Sequence, residues 1–480
     1  MNEQQEVCVV GAGPAGAVLA ARLSDLGHDV TVVEREPFPR PHIGESLSPA
    51  AWPLLDALGV GDEVRAAGFE RTRQARVRWR TRDDERLRPA RGSEDACGLT
   101  VDRARFDAIL LERARAAGAT VRTGTAARRP APSGSGWDIA VAGGVLRAGF
   151  VADATGRRRL LGERRTTTSV RTLALHAIWR GRPPSDGAQT WIDAVAEGWL
   201  WGARLPGGGL RAIVFVDPQL LVEEGRERER LYRRLLASSP LFAALTRSAT
   251  IASRVQACDA TSYVAPAPID AHSVKVGEAC FAIDPLSSCG VQTAMQSAIC
   301  AAAAVHSILV PDGDSAAAAR AFYAEYQRHA AASHAATAAG LYAEHRADGD
   351  APFWRRRAAQ ASPQAAAPVP APVRPAAPGA GGSLAELLPL RVRLRPDAEL
   401  RTTPCLVGER IELRRALAHA ALERPVAFLG SSELAPLLDG LPASASLADA
   451  IRRWDRRLPP GRGHEIARWL HARGLIERAP

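Results

Sequence analysis

The stretch that decides the fold is EVCVVGAGPAGAVLAARLSDLGHDVTVVERE, residues 6–36. A buried strand is predicted over 6–10, an apolar helix over 17–26, and a second strand over 28–33. Between the first strand and the helix, three glycines complete the spacing G-x-G-x-x-G. Strand, glycine turn, helix and strand in this order predict a Rossmann-type unit that binds a dinucleotide. The fingerprint leaves open whether that dinucleotide is FAD or NAD.

Each residue of the fingerprint has its own expected task. Gly11 allows the tight turn, Gly13 lets the backbone approach a pyrophosphate, and Gly16 lets helix and strand pack closely. The helix amino terminus offers unpaired N–H groups to the phosphates. Glu34, followed by Arg35, ends the second strand and is expected at the ribose hydroxyls.

The composition is that of an ordinary globular protein, with 46% hydrophobic and 24% charged residues. The net charge is +10, but the arginines are spread along the chain and Lys275 is the sole lysine, so we expect no nucleic acid partner. The seven cysteines are scattered without a C-x-x-C pair, which predicts neither a disulfide framework nor a metal site. With no signal peptide pattern and no long apolar stretch, we expect a cytoplasmic protein without a membrane segment.

One domain boundary is clear in the sequence. Residues 358–382 consist mainly of alanine, proline and glycine, which cannot form a core, so they are predicted to be a linker. A body of residues 1–357 precedes it and a small domain of residues 383–480 follows it. Within the body, segments between about 165 and 265 alternate apolar and polar residues and predict an antiparallel sheet.

Further motifs follow the Rossmann unit in the body. They are EPFPRPHIGESLSP at 36–49, LTVDRARFDAILLERARAAGATV at 99–121, GFVADATGRRRLLG at 149–162 and VGEACFAIDPLSSCGVQTAMQSAICAAAAV at 276–305. Together they resemble the FAD-dependent flavoprotein monooxygenases of the aromatic-hydroxylase type. The resemblance is closer to their branch containing flavin-dependent halogenases and geranylgeranyl-reductase-like proteins.

The resemblance implies FAD as the cofactor and an α/β fold in which an antiparallel sheet covers the flavin and holds the substrate. It also implies cofactor-binding roles for Arg103, Asp153, Asp284, Pro285, Gly290 and Val291. Asp153 belongs to the D-A-T-G turn, and the N–H groups of Gly290 and Val291 are expected to face the flavin, where a helix amino terminus stabilises negative charge. The family has Gly-Asp where this chain has Gly277-Glu278.

The segment GWLWGARLP resembles the halogenase signature G-W-x-W-x-I-P at Trp199 and Trp201, but has Ala203 and Arg204 where isoleucine and proline are expected. A packing role for the two tryptophans is the alternative. Halogenases also place a lysine in the stretch that corresponds to GFERTRQARVRWR, residues 68–80, and this stretch contains none. Arginine stays protonated and is a poor substitute. The pattern therefore favours hydroxylation, by transfer of oxygen from a C4a-hydroperoxyflavin, over halogenation.

Two residues are candidates for proton transfer. His176, on a predicted strand of the substrate sheet, titrates near neutral pH, and Glu45 lies in the G-E-S motif. For each, a structural role is the alternative. No second dinucleotide fingerprint is present, so we expect a separate flavin reductase to supply reduced cofactor.

The residues after the linker predict a small helical or winged-helix-like domain. Apolar residues at helical spacing mark three helices around Leu437, Ile451 and Ile466. Such a domain resembles peptide-recognition modules fused to enzymes, which bind a peptide or small protein at a sheet edge. DNA binding and a purely structural role are the alternatives.

A halogenase-like body without the lysine, joined to a recognition domain, resembles the tryptophan-hydroxylating flavoproteins that mature quinohemoprotein amine dehydrogenase. That resemblance implies oxygen insertion into a tryptophan side chain during formation of cysteine tryptophylquinone. Three alternatives stay open: a halogenase of indoles or phenols, a geranylgeranyl-reductase-like enzyme, and a non-catalytic scaffold that binds FAD.

Overall fold

The computed structural model describes residues 3–80, 85–87, 94–162, 165–181, 189–206, 208–345, 348, 350–361, 383–422, 424–441 and 444–479. The chain divides into two compact units. The large unit comprises Met1–His306 and Tyr323–Ala366, and the small unit comprises Ser307–Phe322 and Ala367–Pro480. Within the described ranges, no helix is long and apolar enough to cross a bilayer, and no group of three His, Cys, Asp or Glu side chains is placed to hold a metal ion.

The α-helices of the described residues occur singly or in short runs between groups of strands. They are α1 (Pro14–Asp25), α2 (Trp52–Ala57), α3 (Gly61–Ala66), α4 (Arg103–Ala116), α5 (Pro218–Glu223), α6 (Arg228–Ser238), α7 (Pro240–Thr246), α8 (Gly290–Leu309), α9 (Ser315–Glu344), α10 (Pro352–Ala358), α11 (Leu384–Leu387), α12 (Ala435–Asp439), α13 (Leu447–Asp455) and α14 (Arg462–Ala472).

The strands are mostly short. They are β1 (Glu3–Val10), β2 (Val30–Val33), β3 (Ser46–Leu47), β4 (Glu70–Thr72), β5 (Ala75–Arg78), β6 (Glu85–Leu87), β7 (Gly98–Thr100), β8 (Thr120–Arg122), β9 (Ala131–Ser133), β10 (Gly136–Val141), β11 (Gly144–Asp153), β12 (Thr166–Thr167), β13 (Leu173–Arg180), β14 (Thr190–Val195), β15 (Gly198–Arg204), β16 (Leu210–Val216), β17 (Thr250–Ile251), β18 (Gln256–Asp259), β19 (Tyr263–Val264), β20 (Ser273–Lys275), β21 (Phe281–Ala282), β22 (Val392–Leu394), β23 (Glu399–Val407), β24 (Arg410–Ala418), β25 (Phe428–Leu429), β26 (Ser432–Glu433) and β27 (Ile476–Arg478).

The first sheet of the large unit has the strand order β8-β2-β1-β11-β10-β9, and β20 pairs with β11. Strand β1 lies parallel between β2 and β11, and helix α1 connects β1 to β2. All four residues of β2 are buried, as expected for a parallel strand covered on both faces. The Rossmann unit predicted from residues 6–36 is confirmed.

The second large sheet, here called the substrate sheet, has the strand order β17-β13-β16-β15-β14-β5-β6, and β18 pairs with β13. The alternating segments predicted as strands are confirmed as β13 to β16, which pair antiparallel with their neighbours. Strand β5 lies outside the predicted range of 165–265 and pairs parallel with β14. The substrate sheet therefore includes β5, which lies in the stretch expected to contain the halogenase lysine.

Alternation along these strands gives the substrate sheet two unlike faces. Its outer face packs against the apolar sides of α6 and α7. Its inner face carries Trp199, Trp201, Ile213 and Phe215. Successive residues of a strand point to opposite faces, so the identity of each inner residue follows from the register.

The small unit has its own core, to which α12, α13 and α14 contribute Leu437, Trp454 and Ile466. The three predicted helices are confirmed. The structure adds a hairpin of β23 and β24 that the helical pattern did not predict. Of the predicted linker, residues 358–361 continue α10 as a helical turn, and residues 362–382 lie outside the described residues.

Candidate active site

A cleft of about 950 Å³ runs through the large unit, at the upper end of the usual size of small-molecule sites. Its walls come from the Rossmann turn, the loop 40–46, the turn 154–158, the inner face of the substrate sheet and the start of α8. The predicted site residues that line it are Gly11, Gly13, Glu34, Arg35, Glu45, Arg103, His176, Trp199, Trp201, Pro285, Gly290 and Val291. Gly16, Asp153 and Asp284 do not line it.

The three fingerprint glycines act at different places. A Cβ on Gly16 would lie 1.9 Å from the carbonyl oxygen of Gly11, and a Cβ on Gly11 would lie 2.5 Å from that of Ala154. Gly11 also has a φ of +104°, a conformation that side chains disfavour. A Cβ on Gly13, in contrast, would meet only Nη2 of Arg40, at 3.5 Å, within the described part of the chain. Gly13 therefore leaves bare backbone facing the cleft.

The acidic residue at the end of β2 is already oriented by the backbone. The Glu34 carboxylate is 7% exposed and accepts hydrogen bonds from the N–H groups of Ala12, at 2.8 Å, and Glu36, at 3.0 Å. Glu34 lines the cleft beside the Rossmann turn, where a ribose would be within reach of it. Arg35 lines the same end, and its side chain is largely exposed and lies 3.4 Å from Glu36.

Arg103 and Arg40 share the buried carboxylate of Asp107, near the Rossmann-turn end of the cleft. Arg103 donates to both oxygens of Asp107, at 2.8 and 3.0 Å, and its Nη1 donates to the carbonyls of Ile43 and Gly44. Arg103 therefore fixes the loop that forms one wall. Arg40, which the sequence analysis missed, lies 3.7 Å from Asp107 and points at Gly13. No spacing or periodicity marks Arg40, because only folding brings the loop to the Rossmann turn.

The D-A-T-G turn is shaped by its aspartate. Asp153 Oδ1 accepts from the N–H and the hydroxyl of Thr155, and Oδ2 accepts from the N–H of Leu161. Both carboxylate oxygens thus bind the turn itself. The result is that Thr155 and Gly156, rather than Asp153, line the cleft.

The start of α8 presents Gly290 and Val291 to the cleft, next to Pro285. The first N–H groups of a helix have no partner within the helix, so this end favours a negatively charged ligand. Asp284 instead accepts from the N–H of Leu286 and from the hydroxyl of Tyr342, at 3.0 and 3.2 Å. Burial raises the pKa of Asp284.

The two signature tryptophans lie on the inner face of the substrate sheet. Trp199 stacks on Phe215 with ring centroids 3.9 Å apart, and its Nε1 donates to the hydroxyl of Tyr342 at 3.2 Å. Burial raises the pKa of Tyr342, so its phenol keeps the proton that it donates to Asp284. Tyr342 was missed from the sequence because its partners lie more than fifty residues away. Trp199, one of the two signature tryptophans, is thus joined to Asp284 through the Tyr342 hydroxyl.

The two candidates for proton transfer meet through an arginine. Arg211 of β16 donates from Nε to Glu45 Oε1 at 2.9 Å, and its Nη1 lies 3.5 Å from His176 Nδ1. Glu45 Oε2 also accepts from the N–H of Gly44. Burial, and next the Arg211 guanidinium, lower the pKa of His176 to about 4, so the imidazole is neutral at pH 7. Arg211 was missed because it is one of 62 basic residues and only the strand register places it here.

Strand β5 places an apolar side on the inner face of the substrate sheet, behind the residues that line the cleft. Its residues on the inner face are Ala75, Val77 and, just beyond the strand, Trp79. Arg78 faces the outer side, where it lies 3.2 Å from Asp193. Lys275 lies on β20, where its ammonium donates to the carbonyl of Ala267, and does not line the cleft. The inner face of β5 therefore carries no amine.

The residues present fit a dinucleotide flavin. Gly13, Gly156 and Gly290 line the cleft, and a Cβ on the latter two would meet no atom within 4 Å. They leave an open cradle of backbone along one wall. Arg40, Arg35 and Arg158 line the same cleft and supply positive charge for an anionic ligand.

Comparison with known families identifies two matching models. An FAD binding domain model matches residues 4–136, and a tryptophan halogenase model matches residues 89–371. A tryptophan 2-halogenase of Chondromyces crocatus is 31% identical over 343 residues, which are 68% of this chain and 65% of that protein. The chain thus spans slightly less than two thirds of the length of this relative.

Two solved structures match nearly the whole chain. The peptidyl tryptophan dihydroxylase QhpG, essential for tryptophylquinone cofactor biogenesis, is 25% identical with a TM-score of 0.76, over 98% of this chain and 100% of QhpG. The flavin-dependent halogenase CmlS is 22% identical with a TM-score of 0.76, over 99% of this chain and 96% of CmlS, which shows a shared fold. The backbone cradle of the cleft and the family models both indicate FAD as the cofactor. The chain belongs to the tryptophan halogenase family of FAD-dependent enzymes.

Proposed function

We propose that this enzyme hydroxylates an electron-rich aromatic ring, and that the ring is a tryptophan side chain in a peptide or small protein that becomes a tryptophylquinone cofactor. The observation that carries the proposal is the inner face of β5, where Ala75, Val77 and Trp79 stand in the stretch expected to hold the halogenase lysine. Without an amine to capture hypohalous acid, the activated oxygen goes directly to the ring.

The cleft suits a bulky aromatic substrate. FAD, when bound and reduced, supplies the electrons that activate molecular oxygen. Trp199, Trp201 and Phe215 form an apolar wall that packs against a flat ring and excludes water from it. Arg211 cannot replace the lysine, because it stays protonated and is already paired with Glu45.

Halogenation is the second candidate, and the 31% identity to a tryptophan 2-halogenase favours it. The two reactions are distinguished by supplying the holoenzyme with a separate flavin reductase, oxygen-18 gas, bromide and the aromatic substrate. Hydroxylation predicts product that carries oxygen-18 and no bromine by mass spectrometry. A brominated product would replace the proposal with the second candidate.

A polypeptide substrate is supported by the match to QhpG over 98% of the chain and by an apolar patch on the small unit. Leu406 and Leu413 are 44% and 47% exposed. Leu406 pairs with Ile411, two residues from Leu413 on β24, so the two leucines share one face of the hairpin. We propose that this face binds the polypeptide, which raises the effective concentration of its tryptophan at the cleft.

The recognition role is tested with the double variant Leu406→Glu/Leu413→Glu in the full-length chain. We expect KM for a tryptophan-containing polypeptide to rise about tenfold, with kcat for a free indole unchanged, because the cleft is intact. The matched control is Val222→Glu on α5 of the large unit, a valine that is 51% exposed. Equal KM values for the double variant and the control would exclude this face as the binding surface.

A further inference from the structure

The contact with Arg211 determines which ring nitrogen of neutral His176 carries the hydrogen atom. A guanidinium has only donors, so His176 Nδ1, 3.5 Å from Arg211 Nη1, must be the acceptor. A neutral imidazole with an unprotonated Nδ1 carries its hydrogen on Nε2. His176 therefore offers an N–H group and no free lone pair, which makes it a donor rather than the general base expected from the sequence.

This N–H has no partner among the described residues, although His176 is only 4% exposed. Its Nε2 atom is not enclosed by the protein, and it remains accessible from the cleft that His176 lines. Its neighbours on the inner face of β13 are Ala174 and Ile178, which offer no acceptor. Gln256, its cross-strand partner on β18, also lines the cleft but does not accept from it. A ligand that fills the cleft shields this N–H from solvent, and a buried donor left unpaired costs free energy, so the site favours a ligand that brings an acceptor.

We propose that Nε2–H of His176 binds an oxygen substituent on the substrate ring and makes the cleft select a hydroxylated ring over a bare one. The place of this step in the reaction rests on the proposed function. A bare indole has an N–H donor and no oxygen acceptor, whereas the product of a first hydroxylation has one. His176 is thus the residue that holds the singly hydroxylated ring for a second oxygen insertion.

Each insertion is balanced in the same way. One molecule of oxygen, two electrons from a flavin reductant and two protons convert a ring C–H into C–OH and release one water. The Arg211 guanidinium is already paired with Glu45, which leaves the imidazole as the donor that meets the hydroxyl group. His176 forms and breaks no covalent bond in either insertion.

The test is equilibrium binding to the full-length oxidised holoenzyme, followed by the change in flavin absorbance. The probes are indole, the 4-, 5-, 6- and 7-hydroxyindoles, and the fluoroindoles substituted at the same positions. We expect at least one hydroxyindole to bind about two- to tenfold more tightly than indole and its fluoro counterpart, the range of one net hydrogen bond. A lack of preference for every hydroxyindole would overturn the inference.

Two variants assign the preference to His176. His176→Leu removes the donor and should abolish the preference, while His176→Gln restores an N–H near the same place and should keep part of it. FAD content confirms that each variant is folded. The comparison of hydroxyindoles with fluoroindoles is made on the unsubstituted enzyme, so it tests the inference even if a variant does not fold. A preference that survives in His176→Leu would assign it elsewhere. Because binding needs neither oxygen nor halide, failure here leaves the oxygen-insertion test of the proposed function intact.

Discussion

The two ends of the cleft are built from different material. The nucleotide end, around the Rossmann turn, is formed by backbone: Gly11 and Gly16 permit a close approach of chain segments, and Gly13 presents bare backbone to the cleft. The ring end is formed by side chains from β13, β15 and β16, held by the Glu45–Arg211 pair and by Tyr342. A substitution at the nucleotide end can therefore abolish ligand binding without unfolding the protein. Substitutions at the ring end are expected to lower the stability of the fold as well.

The largest effect is expected from Gly13→Val. Among the described residues, the near neighbour of a Cβ at this position is Arg40 Nη2 at 3.5 Å, so the valine side chain would enter the cleft and block the pyrophosphate. We expect FAD affinity to fall by at least about a hundredfold, while the unfolding temperature of the apoprotein changes little. Flavin content and circular dichroism measure the two outcomes.

Gly16→Val is the matched control at the same end. Its Cβ would lie 1.9 Å from the Gly11 carbonyl oxygen, so the helix cannot pack and the apoprotein itself should unfold at a lower temperature. A Gly13 variant that retains a normal flavin content would show that the cofactor does not lie on this turn.

At the ring end, the main expected effect of Arg211→Met is a loss of stability. It leaves Glu45, which is 3% exposed, with the N–H of Gly44 as the remaining donor to its carboxylate among the described residues. We expect the free energy of unfolding in urea to fall by about 3–5 kcal/mol. The double variant Glu45→Gln/Arg211→Met should recover part of that loss, and a double variant no more stable than Arg211→Met would show that the pair is not coupled.

The contrast between backbone and side-chain construction also explains which parts of the fold and site can be predicted from the sequence. The Rossmann unit and the strands β13 to β16 follow from local patterns, because glycine spacing and alternation are read along one contiguous segment. His176 and Glu45 were identifiable by residue type, but Arg211 joins them only through strand register, and Arg40 only through a loop that folds back. Asp284 faces Tyr342 instead of the cleft because α9 brings that hydroxyl beside it.

Tyr342→Phe sharpens the comparison within the ring end. Removing the hydroxyl leaves Trp199 Nε1–H buried without its acceptor and takes one donor from Asp284. We expect a loss of about 1–3 kcal/mol in the free energy of unfolding. A double-mutant cycle with Trp199→Phe measures the coupling, and additive losses would mean that the hydroxyl does not join the aromatic wall to the turn before α8.

The smallest effect is the pH dependence contributed by His176. Its pKa is lowered from 6.5 in a free chain to about 4 in the folded protein, so on acidification the unfolded chain takes up the proton first. Stability linked to this residue is therefore complete above pH 6.5 and is lost as the pH falls toward about 4. Between about pH 7.5 and about pH 5.5 the wild type should lose about 1 kcal/mol more than His176→Gln, since the other titrating groups are common to both proteins. Unfolding in urea at the two pH values gives this difference directly, and equal losses in the two proteins would mean that the imidazole is not held neutral in the cleft. A protonated imidazole cannot accept from Arg211 at Nδ1, so that outcome would remove the contact from which the Nε2–H tautomer is assigned.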